Sequence, residues 1–283
     1  MKKVVFLLVV GTLSMPGYAT AQDETGAYTW ENSTELSFVS TGGNASSSIL
    51  GLKSTLTATS GRSAFKIEVG GIRGETTFRT RTATGSATNF TVDETTNSQL
   101  TAENYFARGR YDRAFASVFV FSGAGWDRNT FAGIQNRYSL VAGLGRAWVD
   151  SETSRIKTDV GLTYTIQNDV HPAPDVDEGF GGVRLTVDVM RQLSGSAQFL
   201  SVLIVDENVE DTDDLRADWI NSLSVSLSER LAFKTSFQLL YDKQPSLESI
   251  GLLDAGGVPT GTDVLTPGDT VDNILTVALV ITM

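Results

Sequence analysis

Asn273-Ile274-Leu275-Thr276-Val277-Ala278-Leu279-Val280-Ile281-Thr282-Met283 closes the chain. Its odd positions, Leu275, Val277, Leu279, Ile281 and Met283, are all large and apolar. The even positions include the small or polar Thr276, Ala278 and Thr282. Successive side chains of a strand point to opposite faces, so this pattern predicts a β-strand with one bulky, greasy face. No turn residues follow it.

The same alternation recurs upstream. Leu36 and Phe38 oppose Glu35 and Ser37. Leu50, Leu52 and Leu56 oppose Gly51, Lys53 and Thr57, and Phe65, Ile67 and Val69 oppose Lys66 and Glu68. Tyr105, Ala107 and Tyr111 are set against Arg108, Arg110 and Asp112. Ile156, Val160, Leu162, Tyr164 and Ile166 alternate with Lys157, Asp159, Thr163 and Thr165. Val183, Leu185, Val187 and Val189 alternate with Arg184, Thr186 and Asp188. Trp219, Leu223, Val225 and Leu227 face away from Ser222, Ser224 and Ser226, and Leu231, Phe233, Phe237 and Leu239 from Lys234, Ser236 and Gln238. Segments near 115–125, 138–149 and 197–205 alternate less cleanly. Arg146 shares parity with Leu140 and Leu144, which predicts a place near a membrane edge or a bulge that shifts the register.

The links decide the topology. Short ones fall near Ser60-Gly61-Arg62, Asp112-Arg113, Ser151-Glu152, Ser194-Gly195 and Ser228-Glu229. Long ones fall near 82–99, 127–136, 168–178, 206–214 and 242–272, with Thr41-Gly42-Gly43-Asn44 the one short link on the long side. This sorting predicts an all-β fold, a closed antiparallel transmembrane β-barrel of about twelve strands with short periplasmic turns and longer extracellular loops. A soluble sandwich has no reason to sort its loops by length. A soluble periplasmic β protein is the structural alternative. Outer-membrane barrels mostly end in an aromatic residue, and Met283 departs from that.

The other end of the chain agrees. Lys2 and Lys3 precede the apolar Val4–Val10, and Ala19-Thr20-Ala21 offers a small-x-small cleavage pattern. Residues 1–21 are therefore expected to be a cleaved signal peptide and 22–283 the barrel domain. The apolar run is shorter than the roughly 20 residues of a spanning helix. Losing the signal's two lysines and no acids takes the net charge from −11 to −13. Such acidity argues against nucleic acid, which needs a basic surface. Near-zero mean hydropathy is compatible with a barrel, which is apolar on one face only. The chain has no cysteine, so disulfides do not staple it.

Three stretches carry a resemblance: Trp30 running into Thr41-Gly42-Gly43-Asn44; Asn104-Tyr105-Phe106-Ala107-Arg108-Gly109-Arg110-Tyr111-Asp112-Arg113; and Arg137-Tyr138-Ser139-Leu140-Val141-Ala142-Gly143-Leu144-Gly145-Arg146. In this order they resemble the DUF481 family, Gram-negative outer-membrane proteins of unknown function that are sometimes labelled salt-induced outer membrane protein. The resemblance implies a membrane barrel. It carries over no activity and no catalytic residue.

The inward rows supply the candidate site. Lys53, Lys66, Glu68, Arg108, Arg110, Lys157, Asp159, Arg184, Asp188 and Lys234 are expected to line the lumen. An open pore would use them for ion selectivity. A closed barrel would pair them, for example Lys157 with Asp188. Trp30, Trp148 and Trp219 lie at expected strand ends on the apolar parity, where tryptophan suits the membrane interface. His171, the only histidine, sits in an expected loop with no Gly-x-Ser-x-Gly elbow in the chain, so an enzyme, such as a barrel hydrolase, is a distant reading. The acidic run 206–214 lacks EF-hand spacing, and solvation is its ordinary role. The loop 242–272 is rich in glycine and proline yet holds Ile250-Gly251-Leu252-Leu253, which suits a constriction in the mouth, packing on the rim, or a surface loop. No catalytic residue, cofactor or metal is expected. The expected partners are outer-membrane lipid, lipopolysaccharide and, through the last strand, the barrel-insertion machinery. Two functions fit: a passive channel for ions or small solutes, and an occluded structural barrel serving the envelope under salt or osmotic stress.

Overall fold

Alternation converts directly into sheet geometry. The computed structural model describes residues 28–41, 45–86, 89–172 and 178–283. Twelve strands close into one antiparallel barrel: β1 (Thr29–Thr41), β2 (Ala45–Ser60), β3 (Ser63–Ser86), β4 (Asn89–Phe115), β5 (Val118–Asn129), β6 (Ile134–Asp150), β7 (Ser154–Asp169), β8 (Gly179–Gln192), β9 (Ala197–Asn208), β10 (Leu215–Ser226), β11 (Leu231–Asp242) and β14 (Val271–Thr282). β12 (Leu247–Leu253) and β13 (Pro259–Pro267) form a separate hairpin between β11 and β14. The C-terminal strand closes the sheet, with Leu279 opposite Phe233 of β11 on one side and Leu36 of β1 on the other. Closure leaves no strand at a free edge of the sheet, as lipid requires, and the β1–β14 seam pairs Ser33–Leu36 with Leu279–Thr282. The expected signal peptide and the Gly42-Gly43-Asn44 link lie outside the described residues.

The burial pattern is inverted relative to a water-soluble domain. Leu162 and Leu275 are 73% and 70% exposed, while Asp159, Thr163 and Ser222 are buried. Each leucine of the outer belt would forgo about 1.5–3 kcal/mol if left in water. A belt of this extent marks a surface that meets lipid. Among the described residues no helix is long and apolar enough to cross a membrane, which does not bear on a barrel.

Two links differ from the sequence reading. Asp112 and Arg113 are not a turn. β4 continues to Phe115, and the chain reverses at Ala116-Ser117, where Ala116 takes a left-handed φ of 59°. Nothing in the alternation marks that reversal, because Asp112 keeps the inward parity of Arg110. Residues 82–86 and 89–99 belong to strands rather than to a loop. Beyond Phe78, where β2 ends, β3 and β4 pair with each other alone up to Ser86 opposite Asn89. At roughly 3.3 Å per residue this ribbon runs about 25 Å past the rim. Threonine-rich sequence satisfies such a two-stranded ribbon because both of its faces meet solvent.

Arg146 keeps its outward parity. Its guanidinium lies 4.5 Å from the Trp148 ring, and the β6–β7 register shifts between Ala147 and Val149. The bulge lies next to the short turn, so the charged pair sits at the barrel's end.

Candidate functional site

Inward-facing side chains enclose a cavity of about 1000 Å³. Its lining includes Arg62, Ser117 and Asp150 at the short-turn end and Asn129, Asp242 and Asp269 at the long-loop end. The space therefore reaches both rims. Lys66, Glu68, Arg108, Arg110, Lys157, Asp159, Arg184 and Asp188 all line it. Lys53 and Lys234 are held at the wall instead, by Glu68 at 3.2 Å and by Glu35 at 2.7 Å.

Most of these charges are paired along their own strand or with a neighbouring one. Arg108 reaches Asp127 on β5 at 2.6 Å, and Arg184 grips Asp206 on β9 through two bonds of 2.7 and 3.0 Å. Lys66 joins Glu68 at 3.1 Å. Asp188 does not pair with Lys157, although the two face each other in the register. It accepts from Arg155 at 3.1 Å instead. The Arg155 fork can engage both carboxylate oxygens, whereas Lys157 offers a single ammonium.

One group spans several strands. Arg110 on β4 donates to Asp112 at 2.9 Å and to Asp159 on β7 at 2.8 Å. It crosses β5 and β6 to do so, lying 3.9 Å above the ring of Phe121. Phe119 and Phe121 are buried on the inner wall. Room for Phe119 comes from Gly145, where a Cβ would collide with the ring. The Gly143-Leu144-Gly145 stretch thus has a physical reading: Gly145 admits the Phe119 ring, Gly143 lets the β7 backbone at Val160 and Gly161 come close, and Leu144 faces out, 61% exposed.

Nearer the outer rim, Arg137 Nε and Arg216 Nη1 both donate to Gln167 Oε1, at 2.6 and 3.1 Å. Arg216 also holds Asp214 at 2.9 Å and stacks over Phe180. Asp127, Arg137, Arg155, Asp206 and Arg216 were not singled out from sequence. Their signal was the inward parity continuing past the expected strand ends.

The long loop begins as a strap over this mouth. Lys243 and Gln244 bond to Asp213 and Asp211 of the β9–β10 loop, at 2.5 and 3.0 Å. Ser246 then reaches Gly133 in the β5–β6 loop, on the far side of the barrel. Gly133 has φ of 72°, and any Cβ there would run into Ser246, so this contact needs glycine. The apolar run does not enter the lumen: Ile250, Leu252 and Leu253 lie exposed on β12. The Lys243 ammonium, by hydrogen bond and then by charge, holds the Asp213 carboxyl below the usual aspartate range.

Trp30 and Trp148 lie near the short-turn rim, opposite Ala58 and near Ile156, and Trp219 lies toward the outer end of β10. All three project outward and are largely exposed. Trp148 and Trp219 donate their ring N–H to Thr158 and Ser201, at 2.8 and 3.1 Å. His171 follows the end of β7.

Among solved structures, the NanC porin aligns with a TM-score of 0.43 at 11% identity, covering 89% of this chain and 99% of that one. The anion-selective porin from Comamonas acidovorans gives 0.38 at 9%, covering 91% and 99%. OmpT of Vibrio cholerae gives 0.38 at 10%, covering 93% and 99%. Such distant likenesses add nothing to the site, and the fold rests on the closed sheet itself. No curated protein sequence matches. The profile described as "Protein of unknown function, DUF481" matches residues 34–249, from the first strand into the loop hairpin, so the chain belongs to the DUF481 family.

Proposed function

We propose that the protein is a passive channel of the outer membrane, carrying ions or small solutes through its charged lumen. One observation carries this reading: a single cavity is lined by residues from both rims. The ion pairs support it as well. They run mostly along one strand or between neighbouring strands at the wall, which leaves the axis to water. An apolar exterior fits lipid, and the acidic outer loops fit a lipopolysaccharide surface bridged by divalent ions. Delivery by a cleaved signal at residues 1–21 and insertion through the C-terminal strand complete the proposal.

A second reading is favoured by the strap. Its crossing from β11 to Gly133 narrows the outer mouth, as an occluded envelope protein would require. Conductance of the refolded protein in a planar bilayer decides between them. The channel reading expects discrete steps. A folded barrel that stays silent would overturn it and favour the occluded one.

A further inference from the structure

Resting on the channel reading, we propose that the lumen prefers cations and that Asp242, Asp269 and Asp272 at the outer mouth set the preference. Ion pairing removes most of the lumen's charge from the question. Among the described residues lining the cavity, thirteen are carboxylates and nine are cationic. Pairing within 4.0 Å leaves seven of those carboxylates without a cation, against three cations without a carboxylate: Arg62, Arg137 and Lys157. The surplus is acidic.

It is also concentrated. Two of the seven, Glu31 and Asp150, lie at the short-turn end, and Glu207, Asp218, Asp242, Asp269 and Asp272 lie toward the outer mouth. Asp242 N–H donates to Thr270 C=O at 2.9 Å, which fixes Asp242 beside the segment bearing Asp269 and Asp272. These three carboxylates therefore stand together where the strap leaves the barrel and narrows the entrance. Charge acts over about 10 Å in 0.1 M salt, so an ion entering a narrowed mouth passes within its reach. Fixed rings of carboxylates select cations in this way.

Deeper in the cavity, Asp159, 6% exposed, is held by Arg110 through Oδ2, and its Oδ1 is shielded from solvent without a hydrogen-bond donor among the described residues. Arg137 Nη2 and Arg216 Nε are buried without an acceptor as well. Arg216 is already bound to Asp214, however, and Arg137 is the one unpaired lining cation set against the five unpaired carboxylates toward the outer mouth, so the sum there stays negative.

The test is the reversal potential of the refolded full chain in a planar bilayer under a KCl gradient. Wild type is expected to show the sign of potassium over chloride, weakening as salt rises. Asp242→Asn, Asp269→Asn and Asp272→Asn together should move it to zero or to the chloride side. Asp269→Asn alone, in a link outside the strands, should move it part of the way, even if the triple variant does not fold. Glu31→Gln with Asp150→Asn should move it less. A conducting wild type that is unselective or prefers chloride overturns this inference and leaves the channel standing. A reversal potential unmoved by Asp269→Asn and by the triple variant overturns the outer-mouth assignment. A silent, folded barrel overturns the channel reading and this one with it.

Discussion

Arg110→Ala tests whether the lumen's polar wall is a stability device. Asp159 is almost wholly buried, with a side-chain exposure of 7% against 31% for Arg110. Removing the arginine strands a buried carboxylate, which typically costs about 3–5 kcal/mol. Arg110 is close to a third exposed, so solvent screens the pair and the low end, about 3 kcal/mol, applies. Losing the cation over Phe121 adds about 1 kcal/mol. Asp159→Ala should cost far less, about 1 kcal/mol, because Arg110 keeps Asp112 and some water. The double variant leaves no buried orphan carboxylate, only the part-exposed Asp112, so it should be more stable than Arg110→Ala alone. Urea titration of the barrel refolded in vesicles, followed by tryptophan fluorescence, gives all four corners of the cycle. An Arg110→Ala cost below about 1 kcal/mol, or a double variant whose cost equals the sum of the singles, would refute the reasoning.

Two further perturbations probe other parts of the molecule. Leu162→Arg places a cation at the most exposed leucine of the outer belt and should destabilise the vesicle-refolded barrel by about 2–4 kcal/mol. A change within about 0.5 kcal/mol, as for an ordinary wet surface, would mean the belt does not meet lipid. Asp213 carries a carboxyl lowered by Lys243, so the clamp contributes above the ordinary aspartate value of about 3.9 and is lost as pH falls through the lowered folded value. Limited proteolysis of residues 243–270 should therefore quicken in strong acid, and Asp213→Asn should show the quickened rate already at neutral pH. Equal rates in wild type and variant at neutral pH would show that the clamp does not hold the strap.

Period-two alternation made the barrel legible because one register error would turn every side chain to the wrong face. Leu162 and Asp159 could therefore be placed on opposite sides before any contact was known. Ala116 was not legible as a turn, since the reversal uses two small residues without glycine, asparagine or proline. The ribbon was missed for a related reason. Outside the membrane both faces are wet, so threonine-rich strand and threonine-rich loop read alike. Pairing was harder still. Parity places Lys157 opposite Asp188, but the choice of Arg155 depends on side-chain reach and fork geometry, which sequence spacing does not encode. Ser246 meeting Gly133 depends on two loops from opposite sides of the barrel, and neither carries a signal of the other.

The bonding pattern sets what the charges can do. A pair between adjacent strands, such as Arg184 with Asp206, neutralises itself at the wall and leaves the axis free. Chords that skip strands intrude on the lumen, and three stand out: Arg110 to Asp159 over β5 and β6, Arg216 to Gln167 over β8 and β9, and Lys234 to Glu35 over β14. Each begins and ends within one part of the circumference, so none bridges the barrel's full width. The strap alone reaches across the whole mouth, from β11 to Gly133. It is tethered there by two loop contacts, Lys243 to Asp213 and Gln244 to Asp211, between exposed side chains. Solvent screens exposed contacts of this kind, so each contributes little. The wall is therefore built to stay, while the feature that narrows the mouth is held by exposed side-chain contacts and one backbone bond, from Lys243 N–H to Leu215 C=O. On the channel reading, access is then set at the outer mouth, where the unpaired carboxylates Asp242, Asp269 and Asp272 gather.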